Sequence, residues 1–92
     1  MSKLDECRIK IDEIDTQIIK LYEERMKVVK GVIEYKLDHN IPILDSDREK
    51  AMLDKNIGKI ENDEYKKYYL DVLKGFLTAS KAMQKDILDS KK

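Results

Sequence analysis

The chain has 92 residues, which is enough for one domain at most, and so short a chain buries only a modest core unless it oligomerises. Lysine plus arginine and aspartate plus glutamate number 19 each, so no net charge draws the chain to nucleic acid or to an anionic membrane. Charged residues make up 41% of the sequence and tryptophan is absent, which favours a helical protein with a narrow apolar stripe and a wide solvated surface.

The cysteine content and the N-terminal sequence indicate a cytoplasmic protein. Cys7 is the single cysteine, so neither a disulfide framework nor a thiolate metal cluster can form within one chain. The opening residues, MSKLDECRIKIDE, contain no apolar core of a signal peptide, and no apolar run is long enough to span a bilayer. We therefore expect a cytoplasmic location and no membrane partner.

The first predicted element is a long helix from about Leu4 to Leu37, a stretch with no proline and one glycine. At 1.5 Å per residue it would be roughly 50 Å long, too long for the following residues to cover. Its stripe positions alternate in spacing between three and four, which keeps one side of the helix facing a partner. We expect much of this stripe to meet a second copy of the chain; its positions are Leu4, Cys7, Ile11, Ile14, Ile18, Leu21, Arg25, Val28, Val32 and Tyr35.

Arg25 is the one charged residue in that stripe. Its guanidinium cannot lose its charge, and an unpaired cation on an apolar face is costly. The sequence therefore predicts an anionic group beside Arg25, either a glutamate of the chain or a bound ligand.

A second, shorter helix is predicted after a break at residues 38–42, which include an asparagine and a proline. It begins near Asp45 or Ser46 and runs to about Ile57, before a glycine. Ser46 and Glu49 have the S-x-x-E spacing of a capping box.

A third helix is predicted from Asn62 or Asp63 to about Leu88. Gly75 lies inside it and costs roughly 1 kcal/mol of helix propensity. No stretch alternates as a strand does, so the predicted fold class is all-α, with a long, a short and a long helix.

Three cations on or beside the first stripe suggest a shared site. Arg25 and Lys36 are eleven residues apart, which is about three turns, so they lie on the same helix face. Their Cα atoms would be about 16 Å apart, and their long side chains can converge on one small molecule. Arg8 lies about 25 Å from Arg25 in the other direction. It can join them from a second, antiparallel chain whose twofold axis passes near Ile19, which would create two identical pockets. Taken alone, either Arg8 or Lys36 can also be interpreted as a surface cation whose aliphatic stem lies along apolar surface while its charge stays in water.

The polar residues elsewhere admit two interpretations each. Asp45, Arg48 and Glu49 fit helix capping, and they also fit a binding site. Ser80 and Gln84, four residues apart on the third helix, either bond to neighbours or donate to a ligand. Taken together, several cations and an amide interrupt apolar surfaces, and a small dicarboxylate would neutralise them.

Five segments of the chain, taken in order, carry a family resemblance: R-I-K-I-D-E-I-D from Arg8, E-E-R ending at Arg25, Y-K ending at Lys36, I-P-I-L-D-S-D-R-E ending at Glu49, and S-K-A-M-Q ending at Gln84. With these segments the chain resembles the all-helical chorismate mutases over nearly its whole length. That family forms intertwined homodimers of three-helix chains, so the resemblance implies a single mutase domain over residues 1–92, standing alone without a fused enzyme or a secretory leader.

The resemblance implies which residues hold the charged and reacting ends of chorismate. Arg8 of the partner chain would grip one carboxylate. Arg25 would hold the other, with Ser80 assisting. Lys36 and Gln84 would donate to the ether oxygen of the breaking C–O bond.

The resemblance also implies the remainder of the site. Glu49, with the backbone near Asp45, would accept from the ring hydroxyl. Arg48 would line the site, and Val32 and Leu77 would form its apolar walls. No metal or cofactor is implied.

The implied activity is the intramolecular Claisen rearrangement of chorismate to prephenate in aromatic amino-acid biosynthesis. This reaction needs no nucleophile, metal or proton shuttle, and the sequence offers no convincing set of them. Two alternatives stay open at this point: an isochorismate-pyruvate lyase on the same scaffold, and a non-catalytic helical dimerisation or regulatory module. Glu49 together with Gln84 favours the mutase.

Overall fold

Three α-helices, one long, one short and one long, make up the computed structural model, which describes residues 2–43 and 45–91. They are α1 (Lys3–Asp38), α2 (Ser46–Ile57) and α3 (Lys66–Ser90), with a 3₁₀ turn at Asp63–Tyr65 before α3. None of the described residues lies in a strand. The all-α prediction is confirmed; Leu44, within the fourth of the five segments, lies outside the described residues.

The end of α1 fixes the direction in which the chain turns toward α2. Asn40 adopts a left-handed conformation with φ of 55°, which asparagine tolerates better than most residues. The Ile41 amide donates to the Lys36 carbonyl at 2.8 Å, and the Asn40 amide donates to the Leu37 carbonyl at 3.4 Å. These two bonds form a Schellman motif, so the backbone of Lys36 is tied to the loop that leads into α2.

The start of α2 differs from the predicted capping box. Asp45 is the N-cap, and its carboxylate accepts from the Arg48 amide at 2.9 Å. Ser46 is therefore the first residue inside the helix, and Glu49 lies one position too late to complete a box. The predicted Ser46–Glu49 box is wrong by one residue, which leaves the Glu49 side chain available for another partner.

Each helix contributes one side chain to the small core of the described chain. Ile33 of α1, Met52 of α2 and Leu73 of α3 expose 3%, 9% and 2% of their surfaces. Ile33 is not a position of the predicted stripe; it follows Val32, which is half exposed. The third helix contacts both of the others, and Ile33 places the α1 part of this core in the C-terminal third of that helix.

The N-terminal two thirds of α1 extend beyond this core. Every described residue from Ser2 to Glu24 is exposed, and the molecule measures 56 Å along its longest axis. As predicted, the later part of the chain does not cover the stripe. The stripe residues that leave half or more of their surface open here are Leu4, Ile11, Ile14, Ile18 and Leu21.

None of the described helices combines the length and the apolar character that crossing a membrane requires.

Candidate active site

A cleft of about 460 Å³ lies between the C-terminal part of α1, the first half of α2 and the middle turns of α3. This volume is within the range of small-molecule sites. The cleft brings together nine of the ten site residues predicted from the sequence, which are Arg25, Val32, Lys36, Asp45, Arg48, Glu49, Leu77, Ser80 and Gln84. Arg8, the tenth, does not line it.

Arg25 is held in the cleft by neutral groups. Its Nη1 donates to the Ser80 hydroxyl at 3.2 Å, and its Cζ lies 5.0 Å from the ring centroid of Phe76. Within residues 2–43 and 45–91 no carboxylate forms an ion pair with it, so the predicted alternative of a glutamate partner is wrong. Its positive charge is therefore not neutralised by the described chain and is available to an anionic ligand.

Lys36 and Gln84 contribute two further donors from opposite sides of the cleft. Lys36 follows Arg25 by three turns of α1, and Gln84 follows Ser80 by one turn of α3. Both side chains are half-buried. Neither side chain has a hydrogen bond or ion pair with another described residue, so the ammonium and amide groups retain their full capacity to donate to a ligand.

The Glu49 side chain pairs with Lys81, a residue that the sequence interpretation missed. The Lys81 Nζ lies 2.9 Å from Glu49 Oε1, with the two side chains 50% and 27% exposed. A signal for Lys81 was present, because Leu77, Ser80, Lys81 and Gln84 follow the i, i+3, i+4, i+7 spacing of one helix face. A charged side chain on that face of α3 is a sequence signal of the same kind as Arg25 on α1.

The cleft is more positive than the chain that forms it. Its four cations are Arg25, Lys36, Arg48 and Lys81, against the two carboxylates of Asp45 and Glu49, which leaves a net charge of +2. The whole chain has equal numbers of positive and negative side chains. A concave site with a local surplus of two positive charges suits a small dianion.

Arg8 lies on the exposed part of α1, seventeen residues before Arg25. At 1.5 Å per residue this separation is about 25 Å along the helix. Arg8 of one chain therefore does not reach the cleft of that same chain, and any role in a site requires a second chain.

The sequence matches the chorismate mutase type II family over residues 7–85. The chain belongs to that family. It is 38% identical to a chorismate mutase of Methanocaldococcus jannaschii over 91 residues, which cover 97% of this chain and 91% of that protein.

Two bifunctional proteins are similar to a part of the chain. A bifunctional chorismate mutase/prephenate dehydratase of Buchnera aphidicola subsp. Schizaphis graminum is 42% identical over 57 residues, and another of Aquifex aeolicus is 40% identical over 55. Each match covers 60% of this chain and 15% of the relative. The similarity is thus confined to a small portion of these longer proteins.

Membership of the chorismate mutase type II family confirms the predicted family and an enzyme of the isomerase class. It does not favour the non-catalytic module or the lyase, because the three relatives described above are named as chorismate mutases.

Proposed function

We propose that this protein converts chorismate to prephenate by an intramolecular Claisen rearrangement, as a step of aromatic amino-acid biosynthesis. The observation that carries the proposal is the convergence of Arg25, Lys36, Glu49 and Gln84, from three helices, on one cleft with a net charge of +2. Chorismate carries two carboxylates, an ether oxygen and a ring hydroxyl, and the cleft offers cations, an amide and a carboxylate as complementary groups.

Arg25 binds one substrate carboxylate in this proposal. Its hydrogen bond to Ser80 and its contact with Phe76 hold the guanidinium in place without neutralising it. A carboxylate can therefore bind to Arg25 without displacing an internal anion, and the Ser80 hydroxyl can assist at the same position.

Lys36 and Gln84 donate to the ether oxygen. In the rearrangement a C–C bond forms while the ether C–O bond breaks, and negative charge grows on that oxygen without transfer of a proton. Donors already in place stabilise this charge without solvent rearrangement, and one such donor is typically worth about 3 kcal/mol.

Glu49 accepts from the ring hydroxyl, together with the backbone near Asp45, which the helix cap holds in place. Arg48 lines the same side, and Val32 and Leu77 form apolar walls. These walls favour the folded form of the substrate, in which the side chain lies over its ring, and so remove conformational freedom from the barrier.

The active form is an intertwined antiparallel homodimer of this single mutase domain in our proposal. The exposed stripe of α1 supports it, because uncovered apolar side chains over many turns need a partner. Arg8 of each chain would enter the partner's cleft and bind the second carboxylate. We also propose a cytoplasmic location, where such biosynthetic reactions take place.

The test is a continuous absorbance assay for loss of chorismate, with the product identified by nuclear magnetic resonance. We expect prephenate, and we expect no turnover by the Arg25→Ala variant under the same conditions. A parallel incubation with isochorismate measures pyruvate. Release of pyruvate without formation of prephenate would overturn the proposal in favour of the lyase.

A further inference from the structure

The ion pair between Lys81 and Glu49 joins two helices that line the cleft. The other ion pair within the described part of the chain, Lys66 with Asp63, spans a single helical turn. Lys81 belongs to α3 and Glu49 to α2, and both line the cleft. We infer that Lys81 is a positioning residue that holds the Glu49 carboxylate toward the ring hydroxyl of the substrate; this inference rests on the proposed function.

The geometry of the pair leaves Glu49 able to bind substrate. Lys81 contacts Oε1 at 2.9 Å, and an ionised carboxylate has two oxygens with about four acceptor positions in all. The second oxygen can therefore accept from a hydroxyl while the first stays on the ammonium. A fixed first oxygen limits the rotation of the carboxylate and so sets the direction of the second.

A purely stabilising role does not account for this pair. Half of the Lys81 side chain is exposed, and exposed ion pairs add little to the free energy of unfolding. The pair lies in a ligand cleft. There, an ion pair that adds little to the free energy of unfolding still has a large effect on the orientation of a group that binds the ligand.

Charge gives Lys81 a second effect on the same carboxylate. Glu49 lies in a cleft that binds a dianion, and its own negative charge would repel that ligand. The ammonium of Lys81 offsets this charge. Without Lys81 the surplus of the cleft falls from +2 to +1.

A double-mutant cycle on the full-length protein tests the inference. We expect Lys81→Met to raise KM for chorismate about tenfold, the size of one lost charge-assisted hydrogen bond, while kcat changes less. In a Glu49→Gln background the same substitution should raise KM by less than about twofold, because the carboxylate to be positioned is already gone. Lys81→Arg should recover most of the wild-type KM.

Lys74→Met is the matched control, since Lys74 is an exposed lysine on the same helix that does not line the cleft. Its KM should equal that of the wild type. Thermal unfolding of each variant distinguishes loss of the fold from loss of the orientation of the Glu49 carboxylate. If Lys81→Met unfolds, Lys81→Gln provides a second neutral variant.

Three outcomes overturn the inference, and they are distinguishable. An unchanged KM in Lys81→Met, with an active wild type, removes the positioning role and leaves the proposed function intact. An equal rise in KM in both backgrounds means that Lys81 acts on the substrate itself, by contact or through its charge, rather than through Glu49. A wild type that forms no prephenate overturns the proposed function, and the inference with it.

Discussion

Arg25 has a hydroxyl and an aromatic ring as neighbours in a position where a carboxylate would be the usual partner of a half-buried cation. The bond to Ser80 fixes the direction of the guanidinium, and Phe76 supports its face. Both neighbours are neutral. A half-buried cation without a counter-ion lowers the free energy of unfolding of the unliganded protein. A bound anion offsets this loss, which increases the affinity for the anion.

Gln84 is the residue whose substitution best separates chemistry from folding. Gln84→Ala should lower kcat by about 100-fold or more, because it removes one of the two donors to the ether oxygen. Its amide has no partner among the described residues, so the free energy of unfolding should change by less than about 0.5 kcal/mol. Steady-state kinetics and urea unfolding measure the two quantities.

The neighbouring Lys85→Ala serves as the control for Gln84→Ala, since Lys85 is exposed and outside the cleft. It should retain the wild-type kcat. A Gln84→Ala enzyme with normal turnover would remove Gln84 from the reaction.

At the scale of the helices, local signals predicted the elements better than the contacts between them. The proline and asparagine after α1 and the glycine after α2 mark ends that depend only on nearby backbone, and the structure agrees within about two residues. The capping box was misplaced because Asp45 and Ser46 are both good N-caps, and sequence alone does not rank them.

Contacts between helices were harder to predict. The pairing of Glu49 with Lys81 depends on how α2 and α3 are juxtaposed across thirty-two residues of sequence, which no local pattern encodes. The burial of Ile33, next to the stripe rather than in it, has the same origin, because α3 packs on a side of α1 adjacent to the stripe. The site residues themselves were found through the family resemblance more than through periodicity.

Gly75 lies inside α3 and gives a test at this scale. A Cβ added there meets no atom within 4 Å, so Gly75→Ala should raise the free energy of unfolding by about 1 kcal/mol through helix propensity alone. Urea unfolding measures it. Gly58→Ala is the comparison outside the helix interior; its φ of −64° accepts alanine, but the added Cβ would lie 3.4 Å from the Lys55 carbonyl oxygen, so we expect a smaller gain. A destabilised Gly75→Ala protein would mean that another chain packs closely against this face.

At the scale of the whole molecule, the proposed dimer makes each active site a joint product of two chains. Arg8→Ala and Arg25→Ala chains should each be nearly inactive alone. After they are unfolded and refolded together at equal amounts, about half of the dimers should be mixed and each should hold one intact cleft, which gives about a quarter of wild-type activity.

The control is a second mixture, in which the Arg8→Ala/Arg25→Ala double variant is refolded with the Arg25→Ala chain. Both chains of this mixture lack Arg25. It should recover nothing. Failure of the first mixture in heterodimers isolated through a different affinity tag on each chain would mean that the cleft is not shared, and a fully active monomer would contradict the dimer itself.

Only three apolar side chains are buried among residues 2–43 and 45–91, and this has a consequence for how the enzyme folds and assembles. So few enclosed groups leave a lone chain with little to hold its helices together, and docking with a second chain would then supply most of the driving force for folding. When the chain concentration is low, the amount of correctly folded dimer would depend on the square of that concentration, and the folded fraction would be proportional to it. Halving expression of such an enzyme would therefore reduce flux through its reaction by more than half.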